Sequence, residues 1–153
     1  MRAKSGFTLV EILIVVVILG ILAAIVIPQF TDASTEAKTS SLCSDLQTVR
    51  SQIELYKIQH NDAKPNMTLD ANGDNALTVC TLVDGTVVAA GTANSFGPYL
   101  QKFPENAFSG VQTVTTGTAA PADITPNATT GGWYFNTTTG AFNAMDSAEH
   151  LLL

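Results

Sequence analysis

The sequence predicts an α+β fold in which one long N-terminal helix packs against a small antiparallel β-sheet. Phe7–Ile27 is apolar except for one carboxylate, Glu11, and it is long enough to cross the roughly 30 Å of a bilayer's hydrocarbon core. Beyond it, apolar residues recur at alternating steps of four and three, as on one face of a helix. These residues are Leu42, Leu46, Val49, Ile53 and Tyr56. Short alternating segments follow and indicate strands.

This pattern divides the chain into four segments. They are a basic leader at 1–6, a membrane-spanning helix at 7–28, its amphipathic continuation at 29–62, and a globular head at 63–153. Read as one helix, Phe7–Asn61 would be about 80 Å long at about 1.5 Å per residue. Asn61 and Asp62, followed by Pro65, supply the stop signal. The apolar stripe then needs a partner, which the head must provide.

The first part of the head is predicted to contain a hairpin. Asp84-Gly85 is a favoured two-residue turn and would lead into a strand at Thr86–Ala90. The preceding segment, Ala76–Leu82, fits either a short helix or a strand.

The second part of the head contains clearer strand signals. Val111–Thr116 alternates as a strand does, and the Thr-, Ala-, Pro- and Gly-rich segment 118–132 is typical of an exposed loop. Trp133–Asn136 and Ala141–Ala144 flank a TTTG turn and predict a β-hairpin. The aromatic residues here are expected to pack in the core or against the helix.

The charge balance argues against nucleic acid as a partner. The 153 residues carry a formal charge of −6, and a nucleic-acid binder would show a basic stripe instead. Arg2 and Lys4 precede the apolar segment, so the positive-inside bias places the N-terminus in the cytoplasm and the head on the far side. Without the leader the side-chain charge would be about −8, which favours solubility.

The order of the N-terminal features differs from that of a secretory signal peptide. In such a peptide the small-residue cleavage site follows the apolar region. Here the small residues Ser5 and Gly6 come before it. A cut at this point would leave the apolar helix on the mature protein as a working part.

The segment SGFTLVEILIVVVILGILAAIVIP resembles the N-terminus of type IV pilins and type II secretion pseudopilins, through its G-F-T-L-x-E motif and apolar run. The resemblance implies that a prepilin peptidase cuts between Gly6 and Phe7 and methylates the new amine of Phe7. Glu11 falls on the family's carboxylate, and Pro28 on a proline found in many members. Two segments of the head, FGPYLQKFPENAF and GGWYFNTTTGAFNAMD, together show a looser resemblance to the heads of secretion pseudopilins.

This resemblance implies a structural role rather than an enzymatic one. The subunit would be held in the bacterial inner membrane and then polymerise through its N-terminal helix, as the shaft subunit of a type IV pilus or a secretion pseudopilus. Its implied partners are other copies, prepilin peptidase, an inner-membrane assembly platform with its ATPase, minor pilins or pseudopilins, and membrane lipid. A DNA-uptake pilin would have the same fold with a different cargo.

Glu11 is expected to set the register between neighbouring subunits. A carboxylate in an apolar helix is costly, and cleavage before Phe7 would create a positive amine to pair with it. Pairing with the amine of a neighbouring subunit would make the stacking register specific. The alternative is a carboxylate that only marks the membrane interface.

Gly20 and Pro28 indicate a site of local weakness in the helix. Gly20 lowers helix propensity, and Pro28 lacks a backbone donor and is expected to kink or interrupt the helix. The resemblance suggests that this region stretches when helices pack into a filament. A simple kink at the membrane exit is the alternative.

Cys43 and Cys80 permit one pairing, which would persist as a disulfide outside the cytoplasm. It would tie the helix to the head and contribute about 3–4 kcal/mol in the chain-entropy picture. Two unpaired cysteines that act as small hydrophobic residues are the alternative.

No motif in the chain predicts catalysis, a bound metal or a cofactor. His60 and His150 are isolated in the sequence, and no phosphate-binding loop or nucleophile elbow occurs. Asp70, Asn72 and Asp74 alternate as at the start of a calcium loop, but a plain turn is preferred because no glutamate completes the set. A membrane-tethered periplasmic binding or enzyme domain with an uncleaved anchor remains the alternative function.

Overall fold

The computed structural model describes residues 7–153 and contains one long helix and two small sheets. Helix α1 runs from Leu9 to Gln59. The strands are β1 (Cys80–Thr81), β2 (Val87–Val88), β3 (Val114–Gly117), β4 (Trp133–Asn136) and β5 (Phe142–Ala144). Short 3₁₀ turns lie at Pro121–Asp123 and His150–Leu152. The predicted α+β class is confirmed.

The chain divides into two compact units, one up to Ala37 and one from Lys38 to Leu153. In the first unit the described part is the beginning of α1, and its side chains are all exposed. The second unit contains the end of α1 and both sheets. The four segments predicted from the sequence have different boundaries and remain predictions.

The end of α1 forms one wall of the core of the second unit. Its buried side chains are those of the predicted stripe: Leu42, Leu46, Val49, Ile53 and Tyr56. They pack with Phe103, Trp133 and Phe142 in one hydrophobic cluster. The helix stops where the sequence indicates, because Asn61 and Asp62 adopt positive φ angles of 53° and 65°.

Strands β1 and β2 pair antiparallel, with Cys80 opposite Val88 and Thr81 opposite Val87. The hairpin around Asp84-Gly85 is therefore present. Its connection is longer than two residues, because the Leu82 N–H donates to the Thr86 carbonyl at 2.9 Å and the Gly85 N–H to the Leu82 carbonyl. The segment Ala76–Leu82 was predicted as a short helix or a strand. It begins with a turn, and Cys80 and Thr81 near its end form strand β1.

The second sheet has the order β3-β4-β5 and corrects the prediction of a purely antiparallel head. Strands β4 and β5 form the predicted antiparallel hairpin, with Phe135 opposite Phe142. Strands β3 and β4 pair parallel, with Val114 opposite Trp133. A parallel pair needs a connection of roughly a dozen residues or more, and the loop at 118–132 supplies it.

Candidate functional site

The beginning of α1 is an apolar surface that the described chain does not cover. Its large hydrophobic side chains from Leu9 to Phe30 are between 41% and 82% exposed. Helix α1 is also the one described helix that is long and apolar enough to cross a membrane. Exposed apolar surface of this extent costs free energy in water. The helix therefore needs lipid or other apolar helices around it.

Glu11 is the charged residue of this surface, and it forms a capping box with Thr8. The Thr8 N–H donates to Glu11 Oε2 at 3.4 Å, and the Glu11 N–H donates to Thr8 Oγ1 at 3.3 Å. Such reciprocal bonds satisfy two backbone donors at a helix N-terminus. This contact was not predicted above, although the T-x-x-E pattern of Thr8-Leu9-Val10-Glu11 is its usual sequence signal.

This geometry leaves much of the bonding capacity of Glu11 free. Both capping bonds are long for N–H···O bonds, whose usual distance is about 2.9 Å. An ionised carboxylate offers about four acceptor positions, and the box uses one of them. The carboxylate of Glu11 is therefore fixed at the helix start and can still accept from a donor outside the described chain.

The processing residues lie at the edge of the described chain. Phe7 is 77% exposed and precedes the first helical residue. Gly6 and the leader at 1–6 lie outside the described residues. Cleavage between Gly6 and Phe7, and methylation of Phe7, stay predictions.

Gly20 and Pro28 both lie inside the continuous helix α1. Of the kink or interruption predicted at Pro28, the interruption does not occur, since the helix runs through this residue to Gln59. The kink stays a prediction. Just after it, the Thr31 hydroxyl donates to the Ile27 carbonyl at 3.2 Å. At Gly20 a Cβ atom would meet nothing within 4 Å, so packing within the chain does not require glycine there.

Cys43 and Cys80 are free thiols, so the disulfide that the sequence permits is not formed in this structure. Cys43 is exposed on α1, whereas Cys80 is buried at the start of β1 and donates to the Gly97 carbonyl at 3.5 Å. The alternative of two unpaired cysteines is the state described here.

The two histidines have structural partners in the head. His60 is buried, its ring stacks on Tyr56 at 3.7 Å, and its nitrogens contact the Tyr56 carbonyl and the Thr81 hydroxyl, each at 2.9 Å. His150 Nδ1 lies 2.6 Å from Asp146 Oδ2. The buried Asn106 donates to the other Asp146 oxygen at 2.7 Å. The contacts of His60 with Thr81 and of Asn106 with Asp146 join segments 21 and 40 positions apart in the sequence.

Burial dominates the electrostatics around the end of α1. It raises the pKa of Tyr56 above the usual 10.0 and that of Tyr99 to about 12. Tyr99 donates its hydroxyl to Gln59 Oε1 at 2.6 Å. Burial also lowers the pKa of Arg50, which donates to the Phe142 and Leu153 carbonyls. These groups hold the head on α1.

Asp70 caps a turn, as the sequence analysis preferred. Its Oδ1 atom accepts from the N–H groups of Asn72 and Asp74, at 2.8 and 3.0 Å. Within residues 7–153, no group of three or more His, Cys, Asp or Glu side chains is arranged to hold a metal ion.

Comparison with known proteins supports the N-terminal assignment. A model of the prokaryotic N-terminal methylation motif matches residues 1–27. Type II secretion system core protein G of Pseudomonas aeruginosa is 44% identical over 59 residues, covering 39% of this chain and 42% of that protein. The corresponding protein of Aeromonas hydrophila is 38% identical over 60 residues, covering 39% and 42%.

A fimbrial protein of Pseudomonas aeruginosa is 36% identical over 87 residues, covering 56% of each chain. The chain thus matches roughly two fifths to a little over half of the length of these relatives. No solved structure matches it. The predicted resemblance to type IV pilins and type II secretion pseudopilins is confirmed, and its N-terminal segment carries the methylation motif.

Proposed function

We propose that this chain is a structural subunit of a type IV pilus-like filament, as the shaft subunit of a pilus or of a type II secretion pseudopilus. The observation that carries this proposal is the uncovered apolar part of α1 with its single carboxylate. Such a surface suits storage in the inner membrane and later packing against the same helix of other copies. The methylation motif at residues 1–27 supports the same reading.

In this account prepilin peptidase removes the leader after Gly6 and methylates the amine of Phe7. The subunit then waits in the inner membrane with its head on the outer side. An assembly platform and its ATPase add it to the filament, where minor pilins or pseudopilins join it. The role is structural rather than catalytic.

Within the filament, Glu11 would pair with the Phe7 amine of a neighbouring subunit. The capping box favours this role because it holds the carboxylate in place and leaves acceptor positions free. Leaving both charges unpaired among apolar helices would be costly, so pairing fixes the axial offset between copies. Gly20 and Pro28 would allow α1 to stretch locally as the helices pack.

The N-terminal mass of protein sheared from cells tests this proposal. We expect sedimentable fibres whose chain begins with methylated Phe7. An intact Met1 in washed membranes, without fibres, would instead support the alternative of a tethered periplasmic binding or enzyme domain. Gly6→Ala serves as a control for processing. It should block the cut after residue 6, so that unprocessed chain accumulates in the membrane.

A further inference from the structure

The two edges of the sheet β3-β4-β5 differ in what covers them. On β5, the Ala141 carbonyl accepts from the N–H of Asn136, so by alternation the Phe142 carbonyl points away from β4. Arg50 of α1 donates to that outward carbonyl at 2.9 Å. Strand β3 (Val114–Gly117) is the other edge, and within residues 7–153 no strand pairs with its outer side. The sheet is therefore capped on the side of α1 and open at β3.

The register of β3 determines which of its backbone groups point outward. The Trp133 N–H donates to the Thr113 carbonyl at 2.9 Å. Because successive residues of a strand direct their N–H and C=O groups to opposite sides, Thr113 and Thr115 face β4. Val114 and Thr116 direct theirs outward, and these groups have no hydrogen-bond partner within residues 7–153. The open edge thus presents two donors and two acceptors in a fixed order.

This edge lacks the features that usually keep strands of different chains apart. Natural sheet edges carry charged residues, prolines or bulges. Strand β3 pairs with β4 without a bulge, and the whole segment 106–122 contains no charged residue. Since the chain carries a formal charge of −6, two copies can approach with least repulsion at an uncharged edge.

The outward groups of β3 also match those of a second copy. When two β3 strands meet antiparallel around a two-fold axis at Thr115, Val114 of each copy lies opposite Thr116 of the other. Each such pair exchanges both of its N–H···O bonds, so every outward group of both strands obtains a partner. A two-fold contact of this kind needs only one surface patch per copy. The strands are already extended, so little ordering is required on binding.

We propose that the β3 edge pairs with the β3 edge of a second copy of this chain, joining two three-stranded sheets into one sheet of six strands. The pairing requires two folded heads and no contact from the apolar part of α1. It therefore stands or falls separately from the proposed polymerisation. Where many copies are held close together, such individually weak contacts act jointly.

Disulfide cross-linking of the full-length chain in detergent micelles tests the proposal. The two-fold axis places Thr115 opposite itself as a non-hydrogen-bonded pair, with Cα atoms about 4.5 Å apart, which a disulfide can span. In a Cys43→Ser background, mild oxidation should link Thr115→Cys chains into dimers about tenfold faster than Thr138→Cys chains, because pairing raises the effective thiol concentration. Thr138 is the matched control, since it is also an exposed threonine of the head and lies in the turn between β4 and β5.

Thr116→Pro, added to Thr115→Cys, tests whether the outward backbone groups hold the two copies together. Proline removes the outward N–H of residue 116, and edge strands tolerate proline where the N–H faces away from the sheet. Cross-linking should fall to the rate of Thr138→Cys, while thermal unfolding of the head stays near that of the wild type. Thr116→Lys places a charge on the edge and should also slow cross-linking. It decides the question if Thr116→Pro does not fold.

Three results would overturn the proposal. One is an equal cross-linking rate for Thr115→Cys and Thr138→Cys in folded chains. Another is fast cross-linking of Thr115→Cys that persists in the folded Thr116→Lys variant. The third is cross-linking of Thr115→Cys to an added cysteine-containing extended peptide of unrelated sequence, without dimers of the chain, which would make the edge a peptide-binding site instead.

Discussion

The two parts of α1 differ in what surrounds them, although they belong to one helix. In residues 9–37 every side chain is exposed, and Leu19 is 59% exposed. In residues 38–59 a stripe of five side chains is buried, and Leu46 is 1% exposed. Burying a leucine side chain contributes about 1.5–3 kcal/mol. The later part of α1 gains this burial energy by packing against the head. The earlier part must gain it by packing against lipid or helices outside the described chain.

This difference separates the folding of the subunit from its assembly. Substitutions in the later part should change the stability of the head. Substitutions in the earlier part should leave the head alone and change membrane insertion or polymerisation. Paired substitutions of one residue type in the two parts can therefore test the comparison directly.

The largest expected difference is between Leu46→Ala and Leu19→Ala. Leu46→Ala removes a fully buried side chain and should lower the free energy of unfolding by about 2–5 kcal/mol. Leu19→Ala should stay within about 0.5 kcal/mol, because its side chain is 59% exposed in the folded chain. Denaturant unfolding of the full-length chain in micelles, followed by tryptophan fluorescence of Trp133, measures both. Equal effects would contradict the division of α1.

Glycine substitutions should show the same division with a smaller effect. A Cβ atom at Gly132 would collide with the backbone carbonyl of Thr113, whereas one at Gly20 would meet nothing within 4 Å. Gly132→Ala should therefore destabilise the head by about 1–3 kcal/mol. Gly20→Ala should favour the local helix by up to about 1 kcal/mol. Thermal unfolding of the head measures the effect of Gly132→Ala, and circular dichroism measures the change in helix content in Gly20→Ala. A Gly132→Ala head as stable as the wild type would show that the clash has no cost.

The pH dependence of stability tests whether the tyrosines packed at the end of α1 are buried as described. The pKa of Tyr99 is raised to about 12 in the folded chain, above the value of about 10 expected when it is unfolded. The folded state therefore binds more protons between these values, and the tyrosine's contribution is complete below about pH 10 and lost as the pH rises towards 12. Tyr99→Phe should show a shallower alkaline loss of stability, and Tyr56, whose pKa is also raised by burial, contributes to the loss that remains. Identical pH profiles would contradict burial as the cause.

The sequence predicted the parts of the fold that depend on local pattern. The helical spacing of the apolar residues from Leu42 to Tyr56 predicts which side of the helix is buried. The TTTG turn between two alternating segments predicts the hairpin of β4 and β5. The parallel pairing of β3 with β4 was missed, because strand direction depends on the path of the 118–132 loop, which periodicity does not report. The hydrogen bond from Asn106 to Asp146 was also missed, because the two residues lie 40 positions apart in the sequence.

The candidate site was predicted in part. The apolar segment and Glu11 follow from composition and from the motif. The spacing of Thr8 and Glu11 is that of a capping box, so this contact is also predictable from the sequence.

The smallest expected effect concerns the cysteines. Cys43 is exposed and Cys80 is buried, so a thiol reagent applied to the folded chain should label Cys43 quickly and Cys80 only after unfolding. Cys43→Ser should abolish the fast labelling with little change in stability. Slow labelling of both residues in the folded wild type, reversed by a reductant, would indicate the disulfide instead.

Filament assembly should depend on the charge of Glu11, because pairing of that charge sets the register between subunits. Glu11→Gln keeps a capping box, since glutamine also serves at this position, but it removes the charge. Thr8→Val removes the Oγ1 acceptor of the Glu11 N–H, but it keeps the charge and the bond from the Thr8 N–H to Glu11 Oε2. Sedimentable fibre from cells, measured against subunit in washed membranes, should fall about tenfold or more in Glu11→Gln and stay near wild type in Thr8→Val. Normal fibre from Glu11→Gln, with loss of fibre in Thr8→Val, would contradict the account.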